Sequence, residues 1–169
     1  MPAPILIAIG SNLPSPTFGP PRAVCEAALA ELSRRGLRIV RRSRWFESAP
    51  VPASDQPWFV NGVAVVETSL PPADLLALLH ETERRFGRER RGVNEARILD
   101  LDLIAYGDVV RTDAPPLLPH PRLHERAFVL LPLADVAPDW RHPDDGRTLS
   151  EMIRALPPGQ SIRPLAEPD

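Results

Sequence analysis

Short apolar runs alternate with amphipathic stretches along the chain, and their order predicts the secondary structure. The apolar run at residues 5–9 ends at Gly10-Ser11-Asn12, which predicts a buried strand followed by a turn. After Pro20-Pro21, apolar residues recur at helical spacing as far as about residue 35, and Gly36 is a suitable residue to end a helix. The first part of the chain therefore predicts a strand and then a helix.

Four later segments continue this pattern in the order strand, strand, helix and strand: residues 37–47, 59–69, 71–87 and 98–106. The resulting order βαββαβ is that of the ferredoxin-like fold, in which two helices pack on one face of an antiparallel sheet. Short helices at about residues 124–131 and 148–155 form a C-terminal helical extension. We therefore expect one α+β domain over residues 1–169, with its core at about residues 5–155.

The last predicted strand contains the segment RILDLDLIAYG, in which two aspartates alternate with leucines. Because side chains alternate across a strand, Asp100 and Asp102 should leave one face together, with Ile98 and Ile104 on either side of them. They are either two neighbouring metal ligands or the hydrated face of an ordinary amphipathic strand. Aspartate is depleted in strands, and two carboxylates on one face repel each other without a cation. The motif alone leaves both interpretations open.

An arginine-rich segment, RRFGRERRGVNEAR, leads directly into this acidic strand. A solvated basic surface is the simpler explanation, and pairing between arginine and carboxylate is another. Magnesium held by aspartates, with arginines that grip phosphate oxygens, is nevertheless the recurring arrangement for phosphoryl transfer. The segment therefore adds transfer of a phosphate group to the possible functions.

Three further residues could contact a ligand. His120 lies between Pro119 and Pro121, which stiffen the backbone and would hold an imidazole in place, although a histidine in a loop is more often structural. Phe59 and Asn61 offer a flat ring and an amide that suit a heteroaromatic ligand, although Phe59 alone would be assigned to the core.

Composition and charge narrow the chemistry. All 20 basic residues are arginines, which excludes a P-loop lysine, a Schiff-base lysine and any other lysine nucleophile. The four histidines lack the spacing of a zinc site. A net charge of −2 gives no reason to expect a nucleic-acid or membrane partner, and no apolar run approaches the length of a membrane span. The single cysteine, Cys25, permits no internal disulfide, which fits a cytoplasmic protein.

Five segments together resemble the 6-hydroxymethyl-7,8-dihydropterin pyrophosphokinase family: AIGSNL, DQPWFVNGV, FGRER, RILDLDLIAYGD and LPHPRLHERAFVLLPLADVAPD. The resemblance implies a magnesium-dependent diphosphotransferase of folate biosynthesis with a ferredoxin-like fold. Such an enzyme moves the β,γ-pyrophosphate of ATP onto the hydroxymethyl group of a reduced pterin and releases AMP. The expected cofactor is Mg²⁺ as two ions, the expected partners are the two small-molecule substrates, and the expected state is a monomer.

The resemblance also implies a role for each candidate residue. The metal ligands would be Asp100 and Asp102. The residues that act in catalysis would be these aspartates and three arginines: Arg88, Arg90 and Arg97. The ATP contacts would come from Arg88, Arg97, Ile98, His120 and Arg126. The pterin contacts would come from Ser48, Val51, Phe59, Asn61 and Phe128.

The chain departs from the family pattern at two places. It has Asn94-Glu95-Ala96 where many members carry Trp-Gly-Pro, so the lid that covers the site would differ there. Phe59 stands where tyrosine is common, which keeps the stacking surface and removes a hydroxyl. Two rival functions fit less well. An RNA-binding module would stack bases on sheet aromatics, and a D-x-D glycosyltransferase needs a larger nucleotide-binding domain than 169 residues provide.

Overall fold

The computed structural model describes residues 3–50, 52–87 and 98–166, which form an α+β fold. The strands are β1 (Ile5–Ser11), β2 (Arg38–Arg42), β3 (Phe46–Ser48), β4 (Phe59–Glu67), β5 (Asp100–Tyr106) and β6 (Ile162–Pro164). The helices are α1 (Pro21–Arg34), α2 (Pro72–Arg85), α3 (Ala127–Val136) and α4 (Leu149–Arg154). A 3₁₀ turn at Leu123–Glu125 precedes α3. None of the helices within the described residues is long and apolar enough to cross a membrane.

The six strands form one sheet in which every described pairing is antiparallel. The strand order is β5-β1-β4-β3-β6. Strands β2 and β3 both pair with one edge of β4: β3 pairs with the first half of that edge, and β2 pairs with the second half. β1 is therefore hydrogen-bonded on both sides, to β4 and to β5. β1 is thus an interior strand of the sheet.

Alternation along the strands separates two hydrophobic cores on the two faces of the sheet. Helices α1 and α2 cover the face that carries Ile7, Ile9 and Leu101, and together they form the first core. Helix α3 covers the opposite face, where Leu6 and Val63 belong to the second core. The leucines that alternate with the aspartates, Leu99, Leu101 and Leu103, are all buried in the first core.

The predicted strand at residues 37–47 is in fact two strands, because the side chain of Ser43 interrupts the ladder. The Ser43 N–H donates to the Val63 carbonyl (2.9 Å), but the Val63 N–H donates to Ser43 Oγ (2.9 Å) instead of to a main-chain carbonyl. The same hydroxyl donates to the Arg44 carbonyl (2.7 Å). A side chain thus replaces one main-chain partner, and the chain leaves β4 before it returns as β3.

The C-terminal part also differs from the sequence prediction in two places. The helix predicted at residues 124–131 is a 3₁₀ turn followed by α3, which continues through Pro132 to Val136. Pro132 has no N–H to donate, but Leu133 and Val136 are buried in the second core, and this burial maintains the helix. Strand β6 was not predicted, whereas the helix predicted at residues 148–155 is confirmed as α4, with a capping box between Thr148 and Glu151.

Candidate active site

The register of the sheet brings the acidic and the amide candidates into rows on one face. Asp100 pairs with Gly10, and Gly10 pairs on its other side with Asn61. In the adjacent row Asp102 pairs with Ala8. Residues paired directly across strands place their side chains on the same face. The two smallest side chains therefore lie on β1 between the carboxylates of β5 and the amide of β4.

This arrangement forms the floor of a cavity of about 640 Å³, a size that suits small-molecule ligands. The cavity is lined by seven of the residues predicted from the sequence: Ser48, Phe59, Asn61, Asp100, Asp102, Arg126 and Phe128. The structure therefore brings the predicted metal ligands, an arginine and the predicted pterin contacts to one place.

The acidic side of the cavity is held in position by a buried glutamate that the sequence analysis did not identify. Glu83, at the end of α2, is 1% exposed, and its carboxylate accepts a 2.8 Å hydrogen bond from the Leu101 N–H. Leu101 lies between Asp100 and Asp102 and is itself buried in the first core. The start of β5 is thus tied to α2, and both aspartates are directed toward the cavity. No pattern in the sequence linked Glu83 to a strand residue 18 positions away.

The donor set on this side suits magnesium. Within the described ranges, no group of three or more His, Cys, Asp and Glu side chains could hold a metal ion without other ligands. Mg²⁺ characteristically takes one or two protein carboxylates and completes its shell with water and substrate phosphates. Asp100 and Asp102 at the wall of an open cavity match that requirement.

His120 is held beside this wall as a neutral imidazole. The backbone N–H of His120 donates to the Ile104 carbonyl of β5 (2.8 Å), and the ring Nδ1 accepts a hydrogen bond from the backbone N–H of Arg122 (3.1 Å). Burial, and next the charge of Arg126, lower the pKa of His120 from 6.5 to about 4, although Asp100 acts in the opposite direction. Because Nδ1 is an acceptor, the proton of the neutral ring lies on Nε2, which is then a donor. His120 does not itself line the cavity.

Arg126 lines the cavity beside an aromatic ring. Its guanidinium carbon lies 5.4 Å from the centroid of the Phe128 ring, within the range of a cation–π contact. Burial lowers the pKa of Arg126, and the negative charges of Asp102 and Asp100 oppose that shift. An arginine remains charged through such a shift, so the cavity holds a half-buried cation in addition to its two carboxylates.

The opposite wall consists of a fixed amide next to a ring. Ser48 and Asn61 are 4% and 5% exposed, and the Ser48 hydroxyl donates to Asn61 Oδ1. The Asn61 Nδ2 group lies over Gly10, where a Cβ atom would come within 3.1 Å of it. Phe59, which is opposite Ser48 in the sheet, adds its ring to the same wall. This wall offers an oriented amide and an aromatic surface to a flat ligand.

Some predicted site residues lie elsewhere or outside the described part of the chain. Ile98 packs against the first core and not beside the carboxylates, because β5 begins only at Asp100 and strand alternation does not extend to Ile98. Ile104 lies in the second core, on the face of the carboxylates as predicted. The predictions for four single residues and one segment lie outside the described residues: Val51, Arg88, Arg90, Arg97 and the segment Asn94-Glu95-Ala96.

The cavity is also lined by residues to which the sequence analysis assigned no role. Arg122 and Glu125, which form an ion pair at 3.3 Å, lie at its edge. The C-terminal segment at residues 157–161 forms part of the wall. This segment has no periodic or motif signal, and its proximity to the site results from the pairing of β6 with β3.

A family model and several known proteins match this chain over most of its length. The sequence model of the 7,8-dihydro-6-hydroxymethylpterin-pyrophosphokinase family matches residues 6–138. The chain is 44% identical over 155 residues to the 2-amino-4-hydroxy-6-hydroxymethyldihydropteridine pyrophosphokinase of Pseudomonas aeruginosa. The aligned segment covers 90% of this chain and 91% of that protein. It is 38% identical over 152 residues to the protein of the same name from Synechocystis sp., covering 89% and 75% of the two chains.

Proposed function

Because the chain belongs to the 7,8-dihydro-6-hydroxymethylpterin pyrophosphokinase family, we propose that it transfers pyrophosphate from ATP to 6-hydroxymethyl-7,8-dihydropterin in folate biosynthesis. In this reaction the hydroxymethyl oxygen forms a bond to the β-phosphorus of ATP. The bond between that phosphorus and the oxygen that bridges to the α-phosphorus breaks. The products are the dihydropterin diphosphate, AMP and a proton.

The proposal depends most on one observation: Asp100, Gly10 and Asn61 lie directly opposite one another on three adjacent strands. A carboxylate pair lies on one side of a floor that lacks bulky side chains, and an oriented amide with an aromatic ring lies on the other. A phosphate donor and a flat acceptor can therefore lie side by side on one face of the sheet. Holding two reactants in this way accounts for a large share of catalysis in phosphoryl transfer.

On the phosphate side, Asp100 and Asp102 would hold two Mg²⁺ ions together with the phosphates of ATP. Bound magnesium neutralises phosphate oxygens and so lowers the cost of bringing a nucleophile to them. Arg126 is half-buried, so its charge is poorly screened by water and would bind phosphate oxygens strongly. The Nε2–H of His120 would donate a further hydrogen bond to phosphate without adding charge.

On the acceptor side, Phe59 and Phe128 would stack on the pterin ring while Asn61 pairs with its polar edge. The hydrogen bond from the buried Ser48 hydroxyl fixes which end of the Asn61 amide is the donor. A fixed amide discriminates among ring edges better than a rotating one, because an edge with the wrong pattern leaves buried polar groups unpaired.

The proposal further assigns the whole chain, residues 1–169, to one domain with a ferredoxin-like βαββαβ core, and treats the enzyme as a cytoplasmic monomer. The antiparallel order β5-β1-β4, with β2 and β3 sharing the next position, supports the fold assignment. The Val51, Arg88, Arg90 and Arg97 assignments remain predictions from the family pattern.

The experiment combines a product assay with charge-neutral variants. The protein with ATP, Mg²⁺ and 6-hydroxymethyl-7,8-dihydropterin should yield AMP, and formation of ADP or no turnover would refute the assignment. Asp100→Asn and Asp102→Asn should each lower kcat/KM by about a hundredfold or more while the melting temperature stays nearly constant. Asp139→Asn, an exposed aspartate away from the cavity, is the matched control and should retain normal activity. Near-normal activity of either site variant would contradict the metal role.

A further inference from the structure

A single side chain near the C-terminus makes hydrogen bonds to the backbone on both sides of Arg126. The Gln160 Oε1 atom accepts a hydrogen bond from the Ala127 N–H (2.9 Å). The Gln160 Nε2 group donates to the Glu125 carbonyl (2.8 Å) and, at 3.4 Å, to the Pro157 carbonyl. One amide thus binds the two backbone groups that flank Arg126, as a residue of a neighbouring strand would.

The position that Gln160 clamps is a joint between two elements. Arg126 has an extended backbone (φ −116°, ψ 107°) between the 3₁₀ turn and α3. Helix α3 has no capping side chain of its own at Arg126, and the first N–H groups of a helix need external partners. Gln160 supplies that partner from 33 residues away. Without the hydrogen bonds from Gln160, fewer contacts would hold the φ and ψ angles of Arg126.

The direction of this joint determines where two cavity residues point. Arg126 lines the same cavity as Asp100 and Asp102, and Phe128 follows in the first turn of α3, with the Arg126 guanidinium over its ring. Arg126, Phe128 and Gln160 all line the cavity.

The C-terminal segment that carries Gln160 is anchored to the opposite wall. The Ala49 N–H donates to the Ser161 carbonyl (3.0 Å), and Ile162 of β6 pairs with Ser48 of β3. The segment therefore bridges the wall that carries Ser48 and the wall that carries Arg126. It lies beyond the part of the chain that matches the family model, which ends at residue 138.

We propose that Gln160 is a positioning residue of the active site, which sets the orientation of Arg126 and Phe128 toward the two substrates through its hydrogen bonds to Glu125 and Ala127. The proposal rests on the pyrophosphokinase function stated above. It makes the C-terminal segment a part of the catalytic cavity and not only the edge of the sheet.

The kinetic test uses Gln160→Met, which keeps the length of the side chain and removes its hydrogen bonds to Glu125 and Ala127. We expect kcat/KM for the pterin to fall about tenfold. Gln160→Glu keeps an acceptor for the Ala127 N–H but sets a carboxylate oxygen against the Glu125 carbonyl, so it should not restore the native value. In an Arg126→Met background the Gln160→Met exchange should lower kcat/KM by clearly less than it does in the native background, because only its effect through Phe128 remains. Arg154→Met, on the exposed side of α4, is the control for loss of a polar side chain near the C-terminus. A lower melting temperature with unchanged kcat/KM, or losses that multiply, would overturn the proposal.

A second measurement does not depend on turnover. In NMR spectra of the ligand-free protein, the Arg126 Nε–H signal, identified by its loss in Arg126→Met, should shift in Gln160→Met and stay in place in Arg154→Met. An unmoved signal refutes the positioning role whatever the substrate is. A shifted signal in a protein that forms no AMP refutes the proposed function and leaves the positioning role supported. If Gln160→Met does not fold, the same comparison is made with Gln160→Glu.

Discussion

Exchange of His120 for asparagine is expected to make the stability of the ligand-free protein less sensitive to acid. Asparagine places an amide oxygen near the position of Nδ1, so it can still accept the hydrogen bond from the Arg122 N–H (3.1 Å in the native protein). It cannot take up a proton. The exchange therefore removes the titration of the imidazole while it retains the local hydrogen bond.

The sign and size of the effect follow from the pKa of His120, which burial and then the charge of Arg126 lower from 6.5 to about 4. Below the pKa of the unfolded chain, the unfolded state binds a proton that the native state does not. The contribution of a neutral His120 to stability is therefore complete above about pH 6.5 and decreases as the pH falls toward about 4. At about pH 5 the linkage relation gives a loss of up to about 2 kcal/mol from this residue alone.

The assay is urea unfolding followed by tryptophan fluorescence at about pH 8 and about pH 5, without ATP or metal, and the linear slope m tests whether the variants unfold alike. Native protein should lose up to about 2 kcal/mol more between the two pH values than His120→Asn does. His124→Asn is the matched control, since the His124 side chain is 36% exposed, and it should behave as the native protein does. Equal acid sensitivity of native protein and His120→Asn would refute the conclusion that the fold holds this imidazole neutral.

Two further predictions concern glycines at which another side chain approaches closely. Gly62→Ala would place a Cβ atom 2.6 Å from Cζ3 of the buried Trp45. We expect the free energy of unfolding, measured by urea unfolding, to fall by about 1–3 kcal/mol. An unchanged free energy of unfolding would show that Trp45 moves without cost. Gly10→Ala would place a Cβ atom on the cavity floor, 3.1 Å from Asn61 Nδ2, so the Kd for the pterin should rise about tenfold by titration calorimetry while the melting temperature changes little. Normal pterin affinity in Gly10→Ala would contradict the role of the bare floor.

The main elements were predictable because their hydrophobic patterns are local. The alternation of leucine and aspartate in β5 correctly predicted that Asp100 and Asp102 share a face, and the apolar runs at residues 5–9 and 59–69 correctly predicted the strands β1 and β4. The break at Ser43 was not predictable, because a hydroxyl that replaces a backbone partner leaves no periodic signal. The three residues of β6 form a strand only because β3 is there to pair with them.

The candidate site was predictable to the extent that its residues form short motifs. Asn61 and Arg126 could be identified from the resemblance to the family, and the structure brings both to the cavity. Glu83 and Gln160 could not, because each acts through a hydrogen bond to the backbone of a residue far away in the sequence. The type of such a residue is unremarkable on its own, and only the tertiary fold shows which backbone groups it reaches.

The position of β1 between β5 and β4 has a consequence for how this site can change during evolution. Asp100 and Asn61 stand on the two neighbours of β1, so about two interstrand spacings, roughly 10 Å, separate the two binding walls. Since β1 is hydrogen-bonded on both sides, that separation cannot be altered without breaking the sheet. Substitutions in the loops and in the C-terminal segment can therefore alter which ring binds or how tightly it binds. The distance between donor and acceptor, and with it the geometry of the transferred group, is set by the backbone and is independent of those substitutions.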